Sequence, residues 1–146
     1  MTDTIAINYR RYRRSNLADV FFWAIALLLL FFNLGSRGLW TVEGRWAEVA
    51  REMLHTGDFF HPQINGEPYF DKPLLTYWLI VLISYFTNQL NEWVVRMPSA
   101  LSGMLSLFCV RYLGRRLYNK EVGDLAGWIL LTTYGFLFWA RTGTAD

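Results

Sequence analysis

The chain is poor in the residues that most readily build a redox or metal centre. Its single cysteine, Cys109, lies inside an apolar run. One cysteine cannot close an internal disulfide, and nothing beside it points to an activated thiolate, so it reads as a small buried apolar side chain. Histidine is scarce: His55 and His61 are the two. Their spacing fits no metal-ligand motif, and both read as ordinary interfacial residues. Net charge is low as well. Fourteen Lys and Arg against twelve Asp and Glu leave +2, too small an excess to argue for nucleic acid. No internal repeat or low-complexity tract divides the 146 residues. No clean small-x-small site follows the first apolar block, which therefore reads as an anchor rather than a cleaved leader.

What the chain does have is long oily runs. Residues 17–34, LADVFFWAIALLLLFFNL, carry one acid, Asp19. As a helix this run covers about 27 Å, close to the ~30 Å hydrocarbon core of a bilayer. Arg10, Arg11, Arg13 and Arg14 precede it, which places residues 1–16 in the cytoplasm by the positive-inside tendency. Residues 97–117 form a second span, opened by Pro98, with Arg111 near enough to one end to snorkel. Residues 122–140 form a third, with Glu121 and Asp124 suited to a helix N-terminus. Between them, residues 118–121 form a short loop in a second basic cluster that includes Arg115, Arg116 and Lys120. The block at 74–86 is apolar for about 13 residues, more typical of an interfacial segment than of a span. If it spanned, the second basic cluster would fall outside. The fold class is therefore an all-α integral membrane protein with about three transmembrane helices, plus amphipathic juxtamembrane helices in a large first outer loop. The rival topology has four spans.

Residues 35–96 form that outer loop, and residues 141–146 begin a second one. Val42, Trp46, Val49, Ala50, Met53 and Leu54 make an apolar stripe at helical spacing, and Gly57 is a plausible stop. This predicts a helix over about 43–56 lying along the membrane, with a second over about 74–88. Glu48, Arg51 and Glu52 fall on the solvated side. From composition alone Glu43 and Arg45 are a helix cap and a solvated base, and Asp71-Lys72 is a surface ion pair.

Four segments change that reading: LWTVEGRWAEVAREMLHTGDFF, NGEPYFDKPLLTYW, NEWVVRMPSALSG and ARTGTAD. In this order they resemble the N-terminal portion of a GT-C membrane glycosyltransferase. The resemblance is to the protein O-mannosyltransferase-like family that includes the lipid A aminoarabinose transferases, and it covers about residues 17–146. It implies transfer of a sugar from a polyprenyl-phosphate donor to a lipid or protein acceptor, with the site facing the periplasm from a bacterial inner membrane. The family has an Asp-Glu pair at the start of the first outer helix. Here Glu43 matches the second acid, and Val42 stands where the first would be. Glu43 is accordingly the first candidate for the catalytic base, and Asp146, matching the acid that closes the second outer loop, is the other. Arg45 and Lys72 match bases that bind the donor phosphate. Asp71 matches an acid that can ligate a divalent metal cation. Arg96 looks structural, paired with Glu92 at i,i+4.

A lipid-linked sugar phosphate needs a cation at headgroup height beside an apolar wall. Lys72 supplies the charge and Leu74–Trp78 the wall. Family chains are several times longer, so these residues read as an N-terminal fragment, inactive in isolation. The rival function is a non-catalytic small membrane protein or partner subunit that kept this part of the fold.

Overall fold

The computed structural model describes residues 2–40 and 42–143, with side chains from residue 16 onward. The first element, α1 (Thr2–Phe31), carries its apolar stretch over Asn16–Phe31. Asn33 then turns the chain with a φ of 56°, a conformation asparagine tolerates better than most residues.

Next comes α2 (Glu43–Thr56), whose buried stripe is Glu43, Trp46, Val49, Ala50 and Met53. Gly57 ends it in the left-handed region at φ 75° and returns its N–H to the Met53 carbonyl, the cap for which glycine carries no Cβ penalty. A two-stranded hairpin follows, β1 (Gln63–Ile64) and β2 (Glu67–Pro68), with Ile64 opposite Glu67. It departs from the all-helical expectation for a local reason. Asn65 and Gly66 both take positive φ, the pair of conformations that a two-residue hairpin turn of matching twist requires. The Glu52 carboxylate accepts the Gly66 N–H and ties this hairpin to α2.

Pro73, in an extended conformation, opens α3 (Leu74–Thr87), and Asn88 closes it at φ 52°. At 14 residues it reaches about 21 Å. Tyr77, Ile80 and Ser84 face inward, while Leu75, Leu82, Tyr85 and Phe86 are exposed.

The longest helix with fully described side chains is α4 (Glu92–Leu117), long and apolar enough to cross a membrane. Pro98 does not open it. Asn91 does, accepting the Val94 N–H at 3.1 Å, a side-chain cap of the preferred kind. Pro98 therefore sits in the second turn of α4. Asn119 caps α5 (Lys120–Thr132) in the same way, and α6 (Tyr134–Ala140) follows at a 68° bend. The 122–140 run is thus not one straight helix. Thr133 leaves the helical region with ψ 120°, and the hydroxyls of Thr132 and Thr133 bond back to the Trp128 and Ile129 carbonyls. Such back-bonding bends helices without a proline.

The buried residues form two cores. One joins α2, α3 and the start of α4 through Trp46, Val49, Met53, Tyr77, Ile80 and Val94. The other joins α1, α4, α5 and α6 through Phe22, Ala26, Leu30, Leu107 and Leu131. The α4–α5 contact depends on close backbone approach. A Cβ on Gly123 would lie 2.6 Å from the Arg115 backbone nitrogen, and one on Gly127 only 2.4 Å from Arg111 Cγ. Small residues of this kind let neighbouring helices meet in lipid.

Both ends of this bundle are pinned by arginine. At one end Arg111, 4% exposed, reaches Asp19 at 2.7 Å and Asp124 at 2.6 Å and lies over the Phe22 ring at 4.0 Å. Arg115 bonds both acids, and Lys120 bonds Asp124. Arg111 does not snorkel. A charge buried among helices is stabilised by partners rather than by water, and two carboxylates face it. Asp124 is likewise an ion-pair partner rather than a helix-dipole acid. At the other end Arg96 and Arg141 bond the carbonyls that follow and end α1: Leu34, Arg37 and Gly38 for Arg96, Leu29 and Phe32 for Arg141. The last turn of a helix leaves such carbonyls without internal partners. Cys109 faces outward from α4, contrary to the buried expectation. The helix presents its opposite side, Leu107 and Arg111, to α1 and α5.

Candidate functional site

The first outer-loop helix begins on a buried ion pair. Arg96 Nε meets Glu43 Oε1 at 2.9 Å and Arg96 Nη2 meets Oε2 at 2.8 Å, the two-pronged geometry in which guanidinium and carboxylate match best. Glu43 is 0% exposed and Arg96 is 2% exposed. The same carboxylate accepts the Trp40 N–H at 2.9 Å and the Gly143 N–H at 2.7 Å. The Trp40 contact reaches back three residues and ties the chain before α2 to its first residue. Burial works to raise the Glu43 pKa. The Arg96 guanidinium and the Gly143 and Trp40 N–H groups outweigh it and hold the carboxyl below its ordinary value.

This geometry corrects one expectation and gives the surroundings of another. Arg96 takes Glu43 as its salt-bridge partner, not the neighbouring Glu92. Glu43, expected as the catalytic base, has both oxygens engaged and no face open to an acceptor. A carboxylate stabilised in its ionised form by four donors is a weak proton acceptor. Its place in the fold is to join α2, α4 and the Gly143 segment. No local spacing reveals this pair. The available signal is an arginine near the head of an apolar helix, since a charge there needs a buried partner.

The remaining site residues are spread over α2 and the α3 approach. Arg45 is exposed, on the turn that buries Glu43 and Trp46. Asp71 is exposed and accepts the Tyr69 hydroxyl at 3.1 Å. Lys72 is half-buried, directly before Pro73 and the apolar α3. Beneath this turn the Tyr77 hydroxyl and the Trp46 indole N–H are buried, with no hydrogen-bond partner among the described residues. Burial, with Tyr69 and Asp71 nearby, pushes the Tyr77 phenol up to about 12, so it remains a neutral donor. Asp146 lies outside the described residues.

A divalent cation finds a poor fit at Asp71. Among the described residues no three His, Cys, Asp or Glu side chains gather to hold one, and a phenol O–H bonds one of the two oxygens of this carboxylate. Hard cations of this kind take six or more oxygen ligands. No step is assigned to a metal here.

Two clefts flank α6. Leu75, Thr76, Ser99, Ser102, Phe136 and Trp139 line one of 460 Å³ between α3, α4 and α6. The α3 turn after Lys72 therefore opens onto a groove with an apolar wall and hydroxyls. The other cleft, 420 Å³, lies between the end of α1 and the opposite side of α6.

Comparison with known proteins gives this arrangement a family. The model of the dolichyl-phosphate-mannose-protein mannosyltransferase family matches residues 71–146. An undecaprenyl phosphate-alpha-4-amino-4-deoxy-L-arabinose arabinosyl transferase of Pseudomonas fluorescens is 36% identical over 122 residues, covering 79% of this chain and 21% of that protein. Its counterpart in Aeromonas hydrophila is 36% identical over 121 residues, 77% of this chain and 22% of the relative. The crystal structure of ArnT from Cupriavidus metallidurans bound to undecaprenyl phosphate superposes with a TM-score of 0.80 at 33% identity, over 86% of this chain and 23% of that one. The chain spans about a fifth of the length of the curated relatives it matches. With a family match over half its residues and the same helical frame around them, the chain belongs to the dolichyl-phosphate-mannose-protein mannosyltransferase family of GT-C membrane glycosyltransferases.

Proposed function

We propose that this chain supplies the first outer loop and donor-binding turn of an inner-membrane glycosyltransferase that moves a sugar from a polyprenyl-phosphate donor to a lipid or protein acceptor on the periplasmic side. The observation that carries the reading is the 0.80 superposition on a transferase crystallised with undecaprenyl phosphate. Lys72 at the head of α3, beside the groove lined by Leu75 and Phe136, adds local support. A compact ammonium there neutralises the donor phosphate while the apolar wall accepts the isoprenoid chain. Arg45, exposed on α2, is a second cation for the donor phosphate.

The reaction is displacement at the anomeric carbon. The acceptor oxygen forms the new bond, the bond to the phosphate oxygen breaks with its electron pair, and the acceptor proton passes to a carboxylate. Lys72 stabilises charge as it collects on the leaving phosphate. The reading assigns proton uptake to Asp146 and makes Glu43 a positioning residue, because the Glu43 carboxylate is ionised and fully bonded.

In the membrane, the reading has α1, α4 and the bent α5–α6 pair crossing and α3 lying on the outer side. Its support is that the chain at the end of α1 meets Arg96 and Arg141, while Arg111 meets Asp19 and Asp124 at the other end. The basic clusters at residues 10–14 and 111–120 then face the cytoplasm. The test is transfer by membranes holding the enzyme as its host makes it, supplied with a polyprenyl-phosphate-linked pentose. A mass increase of one sugar on lipid A or protein is expected. It should be lost with Lys72→Ala, and its absence from wild-type membranes would count against the reading.

A further inference from the structure

We infer that the cleft between the end of α1 and α6 is a second anion site, which holds the phosphate headgroup of a lipid of net negative charge between Arg37 and Arg141. The cleft measures 420 Å³ and is lined by Asn33, Ser36, Arg37, Tyr134, Phe138 and Arg141, among others. The charge bookkeeping favours an anion. Arg96, at the cleft floor, is neutralised by Glu43. Neither Arg37 nor Arg141 has a carboxylate within ion-pair distance among the described residues. Among the described residues, two positive side chains therefore share one concave surface without a negative one.

The surroundings suit a lipid better than a soluble anion. The apolar stretch of α1 ends at Phe31, and the cleft opens where that run gives way to Asn33, Ser36 and Arg37. Its walls below the arginines are the Tyr134 and Phe138 rings, with Leu34 and Leu137. Aromatic rings beside arginine at the end of a membrane helix form the usual interfacial belt, where phosphates lie. Arg37 stacks over Trp40 at 5.8 Å, and Trp40 meets the Phe138 edge at 6.4 Å, so the guanidinium is steadied without being neutralised. Arg141 is fixed by the Phe32 carbonyl at 2.8 Å. Two of its five N–H groups go to the Leu29 and Phe32 carbonyls, which fixes the guanidinium and leaves three N–H groups for an anion. Burial and the nearby Arg96 charge both work against the protonated form of Arg141, a cost an anion would relieve.

This site is separate from the donor site. Residues 134, 137, 138 and 141 of the last helix and its cap face the cleft, whereas 135, 136, 139 and 140 face the groove that opens by α3.

The test reads the arginines directly. The chain is placed in phosphatidylcholine nanodiscs, with or without phosphatidic acid, and treated with phenylglyoxal; modification of Arg37 is followed by peptide mass spectrometry. Phosphatidic acid is expected to slow Arg37 modification at least about fivefold, the effect of one charge-assisted contact. Protection should persist in Lys72→Gln and vanish in Arg141→Gln, with α1 capping in Arg141→Gln checked by circular dichroism. Tyr134→Ser, which keeps both arginines and the cap, should weaken protection as well. Equal modification with and without phosphatidic acid would overturn the proposal. So would loss of protection in Lys72→Gln, which would assign the effect to the donor site. Equal protection by inorganic phosphate in pure phosphatidylcholine would replace the lipid with a free anion. None of these outcomes depends on sugar transfer, so the donor reading stands or falls separately.

Discussion

Arg96 and Glu43, 53 residues apart in the chain, meet through two hydrogen bonds of 2.8 and 2.9 Å, with neither side chain open to solvent. The pair fixes where α2 starts relative to α4. Removing one partner leaves a buried charge uncompensated, which costs about 3–5 kcal/mol. Arg96→Ala and Glu43→Ala are each expected to lower the unfolding midpoint in detergent. Arg45→Ala, which removes an exposed side chain on the same turn, should leave it within about 0.5 kcal/mol of wild type. Denaturant titration by circular dichroism checks the ranking.

The same pair gives a pH dependence with a definite sign. The folded-state pKa of Glu43 lies below its ordinary 4.5. Its contribution to stability is therefore complete above that value and is lost as pH falls through the lower folded value. Wild type should be more stable than Glu43→Gln at pH 7, and the gap should narrow as pH falls below 4.5. Thermal melts from pH 7 to pH 3 measure it. A gap independent of pH would show that Glu43 does not carry charge in the fold.

Lys72→Ala should weaken polyprenyl-phosphate binding by about 1.5–3 kcal/mol, the range for a hydrogen bond to a charged group. Arg51→Ala should do nothing comparable. Arg51 is exposed and already paired with Glu48 at 2.5 Å on the solvent side of α2. Titration of nanodisc-held protein with undecaprenyl phosphate separates the two. Equal small losses would reduce Lys72 to a surface charge.

The contrast between these residues shows what a sequence can carry. Glu48 and Arg51 sit three apart on one helix, so their pairing follows from helical spacing. The α2 stripe, the Gly57 stop and the Asn65-Gly66 turn are equally local, written in neighbours and backbone preferences. Arg96 and Arg111 are different. Each had a nearby reading, with Glu92 or with interfacial water, and each instead takes an acid more than ten residues away. Two such arginines in one apolar helix, with Asp19 early in the apolar stretch of α1 and Asp124 near the start of α5, are signals of burial. Only the fold decides which pairs. The bend at Thr133 was hidden for another reason: two threonines bonding back to carbonyls leave hydropathy almost unchanged.

Gly123→Ala is expected to disturb α4–α5 packing. Its new methyl would sit 2.6 Å from the Arg115 backbone nitrogen and 2.7 Å from the Arg111 carbonyl. Backbone cannot swing aside as a side chain can, so overpacking should cost about 1–3 kcal/mol. Gly135→Ala, where a Cβ meets nothing within 4 Å, is the control. If the two variants melt together, the close approach of α4 and α5 is not a determinant of stability.

Two carboxylates, Glu43 and Asp146, compete for the acceptor proton. Glu43 is held ionised by Arg96, Gly143 and Trp40, and its loss should act through the fold. Asp146→Asn is therefore expected to reduce sugar transfer by about 10²–10⁴, the usual cost of losing a general base, with donor binding and melting temperature kept. Glu43→Gln should lower stability and rate together and leave the pH profile of the residual activity unshifted. Val42→Asp adds the acid that the family resemblance implies before Glu43. Val42 has helical backbone angles at the head of α2 with no side-chain cap, so an aspartate can be accommodated there, and the rate should hold or rise. If Asp146→Asn keeps full turnover and Val42→Asp raises it tenfold or more, the base belongs on the first outer helix, and Asp146 is not the acceptor of that proton. If no variant changes anything because wild type transfers no sugar from any polyprenyl-linked donor, the chain is a non-catalytic member of its family.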